Sequence, residues 1–324
     1  MGENLGWYGP GGTFDYDAWL DRLAAQGATW IRVWMASWSF GLEGIRRDSS
    51  GAVVETSLGN YTARLDRAWQ LDYVIEAARA RGIATQLVIQ YHGPFSLTTN
   101  SEWADNPYNS ANGGPISDPA LFFTDPTSRQ LVRQRLRYIV ARWGYADNVI
   151  WELWNEVDLT AGQPNDILTW HDEMFRYLDS LDWVPHLRTT SISEWLDFLQ
   201  PLPRWAGLWS NPLCDLVQIH LYGQGANLPI DFTRWIPALV GSASRSFGKP
   251  VLMGEAGVDA RGPTQTLAAD PLSLGIHELV WAGLFADSYG TGMTWWWDNL
   301  IHPLDLYATI GSPKTLVSDP PLST

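Results

Sequence analysis

Short apolar runs alternate with amphipathic stretches along almost all of this chain, and that rhythm limits the fold more than anything else in it. Runs such as Trp30–Trp34, Ile83–Tyr91, Asn148–Trp154, Leu187–Ser191, Asp215–His220, Val251–Glu255 and Met293–Trp297 read as strands buried on both faces. Between them lie stretches with helical spacing: Asp15–Gln26, Arg64–Arg81, a segment from Pro126 to about Arg142, Ile167–Leu181, Thr233–Ser246 and Leu274–Ser288. Gly82 stops one helix, and Thr124 or Asp125 caps another ahead of Pro126. With Asn4–Tyr8 counted as the first strand, eight strands alternate with helices. That number favours an α/β fold of the (β/α)8 TIM-barrel kind over an open sheet. At 324 residues the chain holds one such barrel as a single domain, 1–324, with room for long loops. Two loops stand out, 36–61 after strand two and 93–124 after strand three, and both are expected at the C-terminal mouth.

Both ends are less regular. Strand one lacks an apolar run and 303–324 makes a poor eighth helix, so trimmed termini are expected. The opening Met-Gly-Glu-Asn has no charged-then-apolar leader. A secreted enzyme lacking its signal peptide would look the same, which leaves localisation open.

Several function classes drop out on charge and composition. Thirty-five acidic against 21 basic residues give a formal charge of −14, which repels nucleic acid. No apolar stretch is long enough for a membrane span. Cys214 has no partner for a disulfide and is expected as a buried, inert thiol in a strand. Histidines never fall in a His-x-x-x-His pair, so no metal is expected. Gly9-Pro10-Gly11-Gly12 lacks phosphate-loop spacing and reads as a turn, and no cofactor is expected. Twenty tryptophans are a large excess, a hint of carbohydrate, whose rings stack on flat aromatic faces.

Cleaving a glycosidic bond takes two carboxyl groups flanking it. Glu156, in Trp151-Glu152-Leu153-Trp154-Asn155-Glu156, ends strand four, and Glu255, in Val251-Leu252-Met253-Gly254-Glu255, ends strand seven, across the mouth. These motifs resemble clan A of the glycoside hydrolases, particularly family 5 and its relatives, over residues 4–299. The resemblance implies a retaining barrel with Glu156 as acid/base and Glu255 as nucleophile. It further implies Arg32 supporting the nucleophile, His92 facing substrate and Asn155 on the sugar 2-hydroxyl. His220 and Tyr222 match the pair ending strand six, and Trp295-Trp296-Trp297 the aromatic platform. Strand alternation puts Trp295 and Trp297 on one side, with Trp297 the expected platform. Glu152 is expected inside the barrel, paired with an arginine such as Arg188. Asp158, Asp259 and Asp298 are loop carboxylates within reach of substrate.

The expected substrate is a β-linked polysaccharide, β-1,4-mannan or β-1,4-glucan, in a cleft lined by exposed Trp34, Trp38 and Trp103. An exo-acting β-glycosidase with a walled pocket is the alternative, and a non-catalytic carbohydrate-binding barrel a more distant one. Arg32→Ala is expected to cost turnover and spare folding. Oligomeric state is not legible.

Overall fold

The computed structural model describes residues 1–224, 230–314 and 316. Its barrel strands are β1 (Gly2–Asn4), β2 (Trp30–Trp34), β3 (Ala84–Val88) and β4 (Val149–Glu152). β5 follows, in the two pieces Arg188–Thr189 and Ser191–Ile192, then β6 (Val217–Tyr222) and β7 (Val251–Gly257). All pair in parallel, in the order β1-β2-β3-β4-β5 on one side and β5-β6-β7 on the other, because the first piece of β5 bonds β4 and the second bonds β6. The eighth position is the segment 293–295. Met293 N–H donates to Met253 O (3.0 Å), Ala256 N–H donates to Met293 O (2.9 Å), and Thr294 bridges Ala256. Side chains span the gap back to β1. Asn4 Nδ2 donates to Gly254 O (3.0 Å) and Thr294 O (2.6 Å), and Thr294 Oγ1 donates to the Glu3 carboxylate (2.7 Å).

The covering helices are α1 (Asp15–Ala25), α2 (Leu65–Arg79), α3 (Pro126–Trp143), α4 (Pro164–Leu181), the short α5 (Ala206–Ser210), α6 (Phe232–Phe247), α7 (Pro263–Ala269), α8 (Leu274–Phe285) and α9 (Tyr307–Ile310). The longer ones present an apolar stripe to the sheet. On α1 the stripe is Tyr16, Trp19, Leu20 and Leu23, all buried, each contributing about 1.5–3 kcal/mol. α3 starts as its sequence dictates: Asp125 accepts from Ser128 N–H (2.7 Å), and Pro126 sits where no N–H is needed. Asp125→Ala should therefore lower stability by about 1 kcal/mol without touching activity, as read by a denaturant midpoint.

Three expectations need correction. β1 lies two residues earlier than expected, at Gly2–Asn4. The eighth strand survives only as the bridge at Thr294. Trp296 turns into the left-handed region (φ 68°) and a π-helical turn, Trp297–Ile301, follows, so the chain bends away from the sheet. Cys214 is fully buried but precedes β6, and burial pushes its thiol up to about 12. The two long loops do follow β2 and β3. The first carries an antiparallel hairpin (Ile45–Arg47 with Val53–Thr56), and the second a series of 3-10 turns.

Half of the twenty tryptophans are buried. Trp143, Trp151, Trp154, Trp170, Trp209 and Trp297 are among the largest fully buried side chains, which weakens the composition hint toward sugar binding.

Candidate active site

The interior of the barrel is polar where an aliphatic filling is usual. Arg32 from β2 is fully buried and holds several groups at once. Its Nε and Nη2 donate to the two oxygens of Glu152 (2.6 and 2.8 Å). Nη2 also donates to Asn155 Oδ1 (2.6 Å), and Nη1 donates to Glu255 Oε1 (2.5 Å). Glu152 thus faces inward as expected, but its partner is Arg32. Arg188, half-buried at the other end of the strands, pairs with Asp179 and Asp215.

Glu255 reaches this cluster through a backbone irregularity. The register of β7 against β6 slips between Met253 and Glu255, leaving Gly254 as the extra residue of a bulge. Such a bulge re-aims the next side chain, here into the mouth. Tyr222 Oη donates to Glu255 Oε2 (2.7 Å), so both carboxylate oxygens are held. Glu156 lies past the end of β4 in the left-handed region (φ 50°, ψ 54°), a strained conformation for a side-chain-bearing residue and one that clusters at functional sites. Its Oε1 lies 2.9 Å from His220 Nδ1, and its Oε2 3.6 Å from His92 Nδ1. One oxygen from each glutamate and a ring nitrogen of His220 lie within 4.8 Å of one another. Among the described residues this trio is also compact enough for a metal ion, although the Arg32 guanidinium competes for Glu255 with the charge a cation would bring.

Burial pushes both carboxyls above their ordinary range; the charge of Glu152 adds to the rise at Glu156, and that of Glu156 to the rise at Glu255. At Glu255 the guanidinium at 2.5 Å and the phenol at 2.7 Å oppose that rise by direct hydrogen bonds. His220 opposes the rise at Glu255 and Arg32 that at Glu156, but Glu156 has no hydrogen bond to the guanidinium. Its positive neighbours are imidazoles, and burial pulls both His92 and His220 down, His220 to about 4. Neutral imidazoles beside Glu156 and a fixed cation hydrogen-bonded to Glu255 favour a proton on Glu156 over one on Glu255. Burial works against ionisation of Glu152 as well, but Arg32 holds it below the usual carboxylate range.

Arg32, Asn155, His92, His220 and Tyr222 therefore all converge on Glu156 and Glu255. The aromatic residues divide differently. Trp297, the expected platform, is only 2% exposed and packed edge-on against Trp7 and Trp295, which leaves it no free face. Trp296 is the partly exposed member of the run. Trp34 is 5% exposed, so it is a wall rather than an open surface: Trp295 lies 5.1 Å away and the Arg32 guanidinium stacks 5.5 Å above its ring. Trp38 is exposed, and Trp103 half-buried. Asp158 is pushed up to about 6, first by burial, and accepts from Ser193 and Glu194 backbone N–H groups, so it pins a loop. Asp259 is committed to Arg261. Asp298 is half-buried and raised by burial.

Sequence reasoning passes over Gln86 and Gln218, both fully buried in the same interior layer. A signal for one of them is nonetheless present. Gln218, His220 and Tyr222 alternate along β6, so all three share one face.

No family model matches the chain. It is 26% identical over 300 residues to a probable mannan endo-1,4-β-mannosidase A-2 of Aspergillus terreus, spanning 86% of this chain and 71% of that protein. Identity to mannan endo-1,4-β-mannosidase A of Podospora anserina is 24% over 312 residues, spanning 86% and 76%. Among solved structures, the endo-1,4-β-mannanase from Rhizomucor miehei matches with a TM-score of 0.67 at 16% identity, over 98% of this chain and 95% of that one. At that identity the match speaks to the barrel alone.

Proposed function

We propose that this family-5-like glycoside hydrolase of clan A cleaves β-1,4-mannan from within the chain and retains anomeric configuration, with Glu156 as acid/base and Glu255 as nucleophile. The observation that carries the reading is the approach of the two carboxylates: one oxygen of each lies within 4.8 Å of the other. That is a nearest-oxygen distance rather than a group-to-group one, and it supports the closer of the two known arrangements. A retaining pair stands about 5–5.5 Å apart, and an inverting pair needs about 6.5–9.5 Å to admit water. The asymmetry of their partners assigns the roles. Glu255, gripped by Arg32 and Tyr222, is kept charged to attack the anomeric carbon, while Glu156 protonates the departing oxygen. Once the glycosyl–enzyme ester forms, the charge on Glu255 is gone. Glu156, now deprotonated, takes a proton from the incoming water, and water attacks the ester's anomeric carbon to free the product.

Mannan is favoured by the names of the relatives. Internal cleavage is supported by a cavity of about 580 Å³ between the two long loops, lined by Trp38, Tyr91, Glu43, Arg64, Tyr108 and Arg135. Tyr91 joins it to the catalytic pair, since its backbone bridges Asn155, the neighbour of Glu156. A single sugar at the catalytic centre would leave that space unused. Reducing-sugar release on mannan, glucan and xylan, with product lengths followed over time, tests the reading. Early release of mixed oligosaccharides from mannan is expected, whereas mannose alone from the first time point would move the assignment to exo action. Trp38→Ala should raise KM on mannan about fivefold, equivalent to about 1 kcal/mol of lost aromatic contact. The same variant should leave KM for an aryl β-mannoside unchanged. Equal effects on both substrates would remove the cavity from the binding path.

A further inference from the structure

A chain of buried amides runs from the floor of the barrel to the candidate acid, and its polarity can be read link by link. Trp30 Nε1 has only a hydrogen to offer, and it lies 3.0 Å from one amide atom of Gln86, which must be the oxygen. The other end of Gln86 is therefore its NH2, placed 2.6 Å from Glu152 Oε2 and 2.5 Å from the Gln218 oxygen. Glu152, ionised beside Arg32, can only accept, which fixes Gln86 a second time, independently. Gln218 then presents its NH2 to Glu152 Oε1 (3.1 Å) and to His220 Nε2 (3.0 Å). An NH2 facing a neutral imidazole nitrogen requires a lone pair there, so the ring hydrogen of His220 is on Nδ1, 2.9 Å from Glu156 Oε1.

The same reasoning gives His92 the opposite tautomer. Asn155 Oδ1 accepts from Arg32, so its NH2 faces His92 Nδ1 (3.3 Å), which must carry a lone pair. Asn100, whose amide lies 3.4 Å from Nε2, is exposed and has no second side-chain partner among the described residues, so it turns its oxygen to the Nε2 hydrogen. Glu156 is thus flanked by an N–H at Oε1 and by a lone-pair nitrogen 3.6 Å from Oε2. We infer that Gln86 and Gln218 are positioning residues that lock His220 in its Nδ1-protonated tautomer and so place the transferable proton of Glu156 on Oε2. The inference rests on the reading of Glu156 as acid/base. Gly254 belongs to the same device, since a Cβ there would lie 2.7 Å from the Gln218 side chain and push the amide out of line.

Two measurements test this. Long-range proton–nitrogen correlation spectra of uniformly ¹⁵N-labelled full chain at neutral pH report which ring nitrogen of each histidine is protonated, with His220 assigned by its loss in His220→Asn. Protonation of His220 on Nδ1 is expected, and protonation on Nε2 overturns the proposal. The spectrum is taken on the resting protein, so it decides the tautomer even if the chain does not cleave mannan. The second measurement compares Gln218→Leu with wild type on aryl β-mannosides of graded leaving-group acidity. A general acid contributes about 10²–10⁴-fold only where the leaving group needs a proton. The variant should therefore lose about tenfold in kcat/KM on the poorest leaving groups, a fraction of that contribution, and little on dinitrophenyl substrates. An equal loss across the series would mean a structural role only and would overturn the assignment. Should Gln218→Leu not fold, the wild-type spectrum decides alone.

Discussion

Glu255→Ala should abolish turnover on every substrate, including those with activated leaving groups, because no ester to the enzyme can form. Glu156→Ala should fail differently. On a nitrophenyl β-mannoside the leaving group needs almost no protonation, so glycosylation persists while deglycosylation stalls for want of a base. On mannan, where protonation is needed, the loss should be about 10²–10⁴-fold. Azide needs no base and is small enough for the space that the truncated side chain vacates. It should restore turnover of Glu156→Ala on the nitrophenyl substrate and yield the β-glycosyl azide. The same anion in Glu255→Ala would enter from the opposite face of the sugar and give the α product. The anomeric configuration of each azide by NMR is the deciding observation. Exchanged configurations would reverse the two roles, and absence of rescue in both variants would remove the double-displacement mechanism.

The second large effect concerns Arg32, and here the structure changes the expectation. Read from the sequence, Arg32→Ala costs turnover and spares the fold. In the barrel, Arg32 is fully buried and compensates both Glu152 and Glu255, themselves buried. Removing it strands two carboxylates in the interior, and losing one partner of a buried pair costs about 3–5 kcal/mol. Arg32→Ala should therefore unfold at markedly lower denaturant as well as lose activity. Without the guanidinium, burial raises both carboxyls, and they relieve the strain by taking up protons. The stability deficit should accordingly shrink as pH falls through that raised range. Arg32→Lys restores the charge without the planar fork that reaches Glu152, Asn155 and Glu255 together, and should recover stability only in part. An Arg32→Ala protein with wild-type unfolding midpoint and wild-type turnover would refute the account.

What can be read along the chain and what cannot divide by physical cause. Strands such as β2 and β7 and helices such as α3 and α4 declare themselves, because apolar periodicity and capping are local properties of a few consecutive residues. The places of Glu156 and Glu255 follow too, since Glu156 follows shortly after one recognisable strand and Glu255 lies near the C-terminal end of another, and strand order in a barrel is sequential. The eighth strand misleads because Met293–Trp297 has a strand's composition, while its path is set by packing against Trp7 and Gly6 and by the turn at Trp296. Trp297 misleads for the same reason: alternation assigns a face only while the backbone stays extended. That Arg32 belongs to Glu152 rather than leaving it to Arg188, and that two glutamines orient a histidine across the barrel, depends on side chains from β2, β3, β4 and β6 meeting at one point. Gln86 touches Glu152 and Gln218, 66 and 132 positions further along the chain, and one-dimensional spacing holds no information about such contacts. Local pattern is enough for the barrel and its two carboxylates. Which charges neutralise each other, and where the proton rests, is decided only when the interior closes, because burial makes every one of those contacts obligatory.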